Sequence, residues 1–178
     1  MNREEYTRLA LRTWSPDKIR EKGEDPEEYL QTGLASELGE LCGVRKRDMR
    51  DGYQPKIEWI KELGDCLWYA AVYCDQYSYL RGTSETVKKS LTEEIQERFS
   101  RRNVVKEAFD AGRFTGPFWV QVLFVQIMCH EFPQCSVDFV EAMIEGLGID
   151  LDVVRQTNID KLADRAERGV ISGKGDHR

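Results

Sequence analysis

The chain lacks a close-spaced cysteine pair, a long apolar run and an excess of basic residues. Each absence removes a class of function. Five cysteines (Cys42, Cys66, Cys74, Cys129 and Cys135) make an odd count with no Cys-x-x-Cys spacing among them. A zinc site built on Cys129, His130 and Cys135 would match no common finger or ribbon spacing. Cys42, Cys66 and Cys74 fall in apolar helical stretches, where a free thiol behaves as a small hydrophobe, so reduced cysteines and a cytosolic setting are expected. The most apolar stretch, Pro117 to Cys129, is 13 residues long and contains Gln121 and Gln126. It falls short of the roughly 20 residues that a membrane-spanning helix needs. The opening residues, Met1 to Tyr6, are polar and acidic, which does not read as a signal peptide. With 26 Lys and Arg against 32 Asp and Glu, the formal net charge is −6. A nucleic-acid polymer asks for a basic surface, so the balance argues against such a partner. It leaves open a single nucleotide held through metal ions. His130 and His177 are isolated from any catalytic pattern, and there are no repeats or low-complexity linkers.

What is present is helical periodicity within one domain of 178 residues. Arg3 to Trp14 reads as a short amphipathic helix, with Tyr6, Leu9, Ala10 and Thr13 on one side. Ser15-Pro16-Asp17 breaks it. Asp25-Pro26 is a helix start, Asp at the N-cap and proline at the first helical position. Tyr29, Leu30, Leu34, Leu38, Leu41 and Val44 then form an apolar stripe that ends in Arg45-Lys46-Arg47, cations suited to a helix C-terminus. After the turn-rich Arg50 to Pro55, a second long helix runs from about Lys56 to Tyr79, with Ile57, Ile60, Leu63, Leu67, Ala70, Ala71 and Cys74 facing inward. Ser84 to Asp110 reads as one or two charged helices, with a capping box at Ser90 to Glu93. The Phe118 to Met128 run is rich in Val and Phe, as a buried strand would be. A lone strand in a helical chain has nothing to pair with, so helix is preferred. Ser136 to Leu147 is a further short helix, and Asp150 or Asp152 opens the last, which reaches about Arg168. The glycine-rich tail to Arg178 has little to pack. The expected fold class is all-α.

Two segments carry the chemistry: Ser36-Glu-Leu-Gly-Glu-Leu41 and Lys61-Glu-Leu-Gly-Asp-Cys66. Each places two carboxylates three residues apart. In a helix that spacing is about 300° of rotation and about 4.5 Å of rise, so both side chains leave one face. A single pair of this kind is usually just a solvated surface. Two pairs in matching context, at similar depth on helices joined by one turn, suggest instead that Glu37, Glu40, Glu62 and Asp65 face each other. Four converging carboxylates repel unless cations sit among them, and hard divalent ions such as Mg²⁺ take oxygen ligands of this kind. Glycine within a helix costs about 1 kcal/mol against alanine. Gly39 and Gly64 in equivalent places therefore suggest close helix approach, or room for a ligand beside the acids.

Gly33-Leu-Ala-Ser-Glu-Leu-Gly-Glu-Leu41 followed by Lys61-Glu-Leu-Gly-Asp-Cys-Leu-Trp-Tyr69 resembles the ExxE…ExxD signature of the MazG-like all-α nucleoside triphosphate pyrophosphohydrolases. The 21 residues between Glu40 and Glu62 fall within that family's usual gap. Gly148-Ile-Asp-Leu-Asp-Val-Val-Arg-Gln-Thr-Asn-Ile-Asp-Lys-Leu162 is similar to the family's last helix, including its Asn-x-x-Lys pair, here Asn158 and Lys161. The tail, Arg168 to Arg178, resembles tails of phage and bacterial members. The chain departs from the pattern at Ser36, where many members have glutamate, and by about 60 residues between the two matching parts. The resemblance thus covers a core of about 1–79 and 139–178, with an inserted helical segment of about 80–138 that covers the site or forms an oligomer surface.

The resemblance implies a cytoplasmic, Mg²⁺-dependent hydrolase (Mn²⁺ serving as an alternative) of a bacterium or phage-infected cell. It would cleave a (d)NTP to the (d)NMP and pyrophosphate as a homodimer or homotetramer, with no membrane partner. Glu37, Glu40, Glu62 and Asp65 are its implied metal ligands and catalytic carboxylates. Asn158 and Lys161 would serve the pyrophosphate. Lys46 matches a family lysine but also fits a plain helix terminus. Trp68 and Tyr69 fit either a base pocket or the core. Lys174 and Arg178 would close over the substrate or belong to a loose tail. The alternatives are a narrow-specificity relative (a dUTP pyrophosphatase or phosphoribosyl-ATP pyrophosphohydrolase) and a non-enzymatic helical binding protein.

Overall fold

A computed structural model of the chain describes residues 1–52, 56–77, 118, 122, 125, 126, 129 and 136–168. All regular structure among these residues is helical, without a strand. Helix α1 spans Arg3–Ala10 and passes into a 3-10 turn at Leu11–Thr13. Its N-cap Asn2 accepts a hydrogen bond from the Glu5 backbone N–H at 2.9 Å. Helix α2, Pro16–Arg20, occupies the place where the sequence reads only as a break. Proline at its first position and the Arg20–Asp17 ion pair at 2.8 Å allow a short helix there.

Helix α3, Pro26–Asp51, starts where expected, with the Asp25 carboxylate accepting from the Glu27 N–H at 2.9 Å. It stops at Gly52, whose φ of +86° is left-handed backbone that suits glycine. Helix α4 runs over Lys56–Tyr77, α5 over Ser136–Gly146 and α6 over Leu151–Glu167. Asp150 is the acid that opens α6, accepting from the N–H groups of Asp152 and Val153 at 2.9 and 3.1 Å.

Helix α4 is the axis of the domain, packed against α1, α3, α5 and α6. Its Leu63, Cys66, Leu67, Ala70, Ala71 and Val72 are buried almost completely. The α3 stripe Leu30, Leu34, Leu38, Leu41 and Val44 faces it and is equally buried. Between α4 and α5 in the chain, Phe118, Val122, Val125, Gln126 and Cys129 are helical. Val122, Val125 and Cys129 join the same core, and Phe118 packs edge-on to Trp59 with ring centroids 5.5 Å apart. Val122, Val125 and Cys129 of the expected insert are therefore buried inside the domain, and Phe118 is partly buried against it. The rest of that segment, including the Ser90–Glu93 capping box, Cys135 and His130, lies outside the described residues, as does the tail with His177.

The packing of α1, α5 and α6 carries a charge network that no local pattern announces. Arg3 donates to Asp138, at 2.9 Å, and to Glu141 on α5, while Arg155 on α6 donates to the same Glu141. Arg155 also donates to the Met1 carbonyl at 3.0 Å. Glu141 and Arg155 are each only 7% exposed. Burying such charges is tolerable because each has an opposite partner. Among the described residues, no helix is long and apolar enough to cross a membrane.

Candidate metal and phosphate site

Contacts between α3 and α4 pair rising numbers with falling ones. Arg47 bridges Glu58 at 2.9 Å, while nearer the start of α3 Gln31 donates to the Tyr73 hydroxyl at 2.7 Å. The two helices are thus antiparallel, and their carboxylates meet near mid-height. Carboxylate oxygens of Glu37, Glu40 and Glu62 lie within 4.8 Å of one another. Glu40 is exposed, whereas Glu37 and Glu62 are half-buried. Burial pushes the Glu37 carboxyl up to about 8, and the negative charges of Asp65, Glu40 and Glu62 push in the same direction against the pull of Lys161. This is the electrostatic signature of acids gathered without enough positive charge.

Asp65 is turned differently. Its Oδ1 accepts from Asn158 Nδ2 at 3.0 Å, and its Oδ2 accepts from the Lys161 ammonium. Helix α6 thus presents Asn158 and Lys161, one turn apart, to one carboxylate of α4. Beyond them, the Tyr6 hydroxyl donates to Asn158 Oδ1 at 2.9 Å. Burial and the nearby Asp65 keep that phenol well above its usual range, so it remains a donor.

The two matching glycines serve different ends. A Cβ at Gly64 would stand 3.0 Å from the Asn158 Cβ and 3.2 Å from its Nδ2, whereas a Cβ at Gly39 would meet nothing within 4 Å. Gly64 admits α6; among the described residues nothing stands close to Gly39. A third glycine, Gly33, is more constrained than either, since a Cβ there would lie 2.1 Å from the Tyr69 ring. That ring belongs to an aromatic cluster one turn from the acids. Trp14 stacks on Tyr29 with centroids 5.9 Å apart, Trp68 meets Tyr69 edge-on at 4.8 Å, and Trp14 meets Trp68 at 6.3 Å. The Tyr69 phenol is pushed up by burial, by Tyr29 and by the charges of Glu37 and Asp65. The Trp68 indole N–H is used within the fold, donating to Thr13 Oγ1 at 3.0 Å and to the Ala10 carbonyl at 3.3 Å.

The structure thus gathers Glu37, Glu40 and Glu62, and beside them Asp65, Asn158 and Lys161. Trp68 stands in the adjoining aromatic cluster. Lys46 is not brought in: nine residues along a continuous helix is two and a half turns, so it leaves α3 on the side opposite Glu37, and it is exposed. Lys174 and Arg178 lie outside the described residues. Sequence reasoning missed Tyr6 as a polar participant and Gly33 as a packing requirement. A tyrosine on an otherwise apolar helix face is the one hint it had, because a buried hydroxyl needs a partner.

Carboxylates gathered from two helices could hold a metal ion, and oxygen-only donors suit hard divalent cations. No protein-family model, no curated protein and no solved structure matches the chain.

Proposed function

We propose that the protein is a Mg²⁺-dependent nucleoside triphosphate pyrophosphohydrolase, using water to cleave a (d)NTP into the (d)NMP and pyrophosphate. The observation that carries this reading is the meeting of three carboxylates from two antiparallel helices within 4.8 Å, with a lysine ammonium one carboxylate away. Acid clusters attract cations rather than phosphates, whereas Lys161 attracts phosphates, and the two chemistries side by side suit a metal–triphosphate substrate.

In this reading Glu37, Glu40 and Glu62 hold the cation, and Asp65 contributes from α4 alongside them. A divalent ion held there would supply charge neutralisation for the phosphates and polarisation of the bond to be cleaved. Lys161 supplies the positive charge that the departing pyrophosphate needs, and Asn158 keeps Asp65 oriented. Tyr69 and Trp68, one turn from Asp65, flank the position a base would take. Burial and the neighbouring acids push the Glu37 carboxyl up to about 8, which favours its protonated form. Cation binding displaces that proton, so affinity should rise with pH across the neutral range.

The experiment is a panel of canonical and modified triphosphates assayed for pyrophosphate release with and without Mg²⁺. Monophosphate and pyrophosphate formed in equal amounts, only with the metal, and lost in a folded Glu40→Gln variant, is the expected result. Metal-independent turnover, release of orthophosphate alone, or an unimpaired Glu40→Gln protein would overturn the assignment. Turnover confined to one substrate would identify a narrow-specificity enzyme.

A further inference from the structure

The fourth carboxylate is held by a chain of buried polar groups that begins on the first helix. The Tyr6 hydroxyl donates to Asn158 Oδ1 at 2.9 Å, and Asn158 Nδ2 donates to Asp65 Oδ1 at 3.0 Å. Tyr6 is 1% exposed and Asn158 is 2% exposed, so water cannot substitute for either contact. An asparagine amide has two ends of similar shape and opposite character. The hydroxyl on Oδ1 dictates that the N–H₂ end faces Asp65. Reversed, the amide would set a carbonyl oxygen against a carboxylate. Gly64 completes the arrangement, because a side chain there would press on Asn158 at 3.0 to 3.2 Å.

From this geometry we propose that Tyr6 is a positioning residue of the cation site, acting through Asn158 to orient Asp65. The inference rests on the metal-binding reading above and deepens it. Tyr6 touches neither cation nor substrate. Its hydroxyl orients the Asn158 amide, whose N–H₂ fixes one oxygen of Asp65 and so limits the directions open to the other, the oxygen on which Lys161 sits. Outer partners of this kind set the orientation of a metal-binding carboxylate, and removing one typically weakens metal affinity by about 10- to 100-fold. Tyr6 therefore links α1, which carries no acid of the cluster, to the chemistry between α3 and α4.

The test is Mn²⁺ affinity, measured by electron paramagnetic resonance and by calorimetry, for the wild type, Tyr6→Phe, Asn158→Ala, the double variant and Glu40→Gln. Circular dichroism confirms that each is folded. Tyr6→Phe is expected to bind Mn²⁺ about tenfold more weakly, at the lower end of that range. The Tyr6 hydroxyl also lies 3.5 Å from the Gly64 carbonyl, but its shorter hydrogen bond is to Asn158, so the double variant is expected to match Asn158→Ala alone. A Tyr6→Phe protein within twofold of wild type overturns the inference while leaving the metal site standing. So does a double variant whose loss is the product of the single losses, the pattern of a merely structural tyrosine. If Tyr6→Phe does not fold, Asn158→Ala within twofold of wild type has the same force. A wild type that binds no Mn²⁺, or a Glu40→Gln that binds it equally well, overturns the metal reading itself and this inference with it.

Discussion

Glu37-Leu-Gly-Glu40 and Glu62-Leu-Gly-Asp65 are nearly the same four letters on two neighbouring helices, yet they do different work. In the α3 motif both carboxylates turn toward the cluster, Glu40 is exposed, and the glycine has no close neighbour among the described residues. In the α4 motif only Glu62 joins the cluster. Asp65 is taken up by Asn158 and Lys161, and the glycine is pressed against α6. The difference comes from what stands opposite. Among the described residues α3 packs against α4 and α2, while α4 packs against α1, α3, α5 and α6. A local motif sets which way side chains leave a helix; the packed neighbours decide what they meet.

The sharpest way to break the comparison is to neutralise one acid from each motif. Glu40→Gln and Asp65→Asn should each lower Mg²⁺-dependent turnover by at least about 100-fold, equal to about 2.7 kcal/mol of transition-state stabilisation. The far-ultraviolet circular dichroism of both should stay that of the folded protein. They should part company in stability, because Asp65→Asn also strips Lys161 of its charged partner. Retained turnover in either variant would remove that acid from the chemistry.

Next in size is Gly33→Ala. With the Tyr69 ring 2.1 Å from the added methyl, the ring must move, and overpacking of this kind costs about 1–3 kcal/mol. Thermal denaturation should show the loss, and a Tyr69→Leu background should relieve part of it. The glycines inside the motifs give a smaller and more discriminating contrast. Gly39→Ala should stabilise the protein by up to about 1 kcal/mol, the helix-propensity difference, since its Cβ meets nothing. Gly64→Ala should gain no such benefit and should weaken Mn²⁺ binding by displacing Asn158. Equal behaviour of the two variants in denaturation and metal titration would erase the asymmetry described here.

The last contrast is in pH dependence. The Glu37 carboxyl rises from 4.5 to about 8 on folding, so the folded chain binds a proton more tightly than the unfolded one. That contribution to stability is fully present below about 4.5 and is lost as pH rises toward about 8. The metal-free melting temperature should therefore fall across this window more steeply in the wild type than in Glu37→Gln. Saturating Mg²⁺ should flatten the wild-type slope. An identical slope in both proteins would remove Glu37 as the cause.

Much of this arrangement was legible in the chain because it depends on short-range spacing. The Asp25-Pro26 start, the leucine stripe of α3 and the acids three residues apart all follow from helical period and capping. Helix α2 was missed because a five-residue element has too few positions to show a period. Gly33 was missed because its requirement is a tyrosine 36 positions later in the chain. Lys46 was carried to the site by family resemblance, and the continuity of α3 turns it away. The Arg3–Glu141–Arg155 network is illegible locally, since its members are charged residues that each suit an exposed helix face.

Local periodicity is therefore sufficient to specify an all-α chain with two acid-bearing helices, because backbone hydrogen bonds and apolar stripes act over a few residues. Which acids share a point in space, which one Lys161 and Asn158 claim, and that Tyr6 stands behind them are outcomes of packing. Those partners lie 93 to 152 residues apart in the chain. Only burial against α4, which excludes water and leaves each polar group dependent on the one beside it, brings them together.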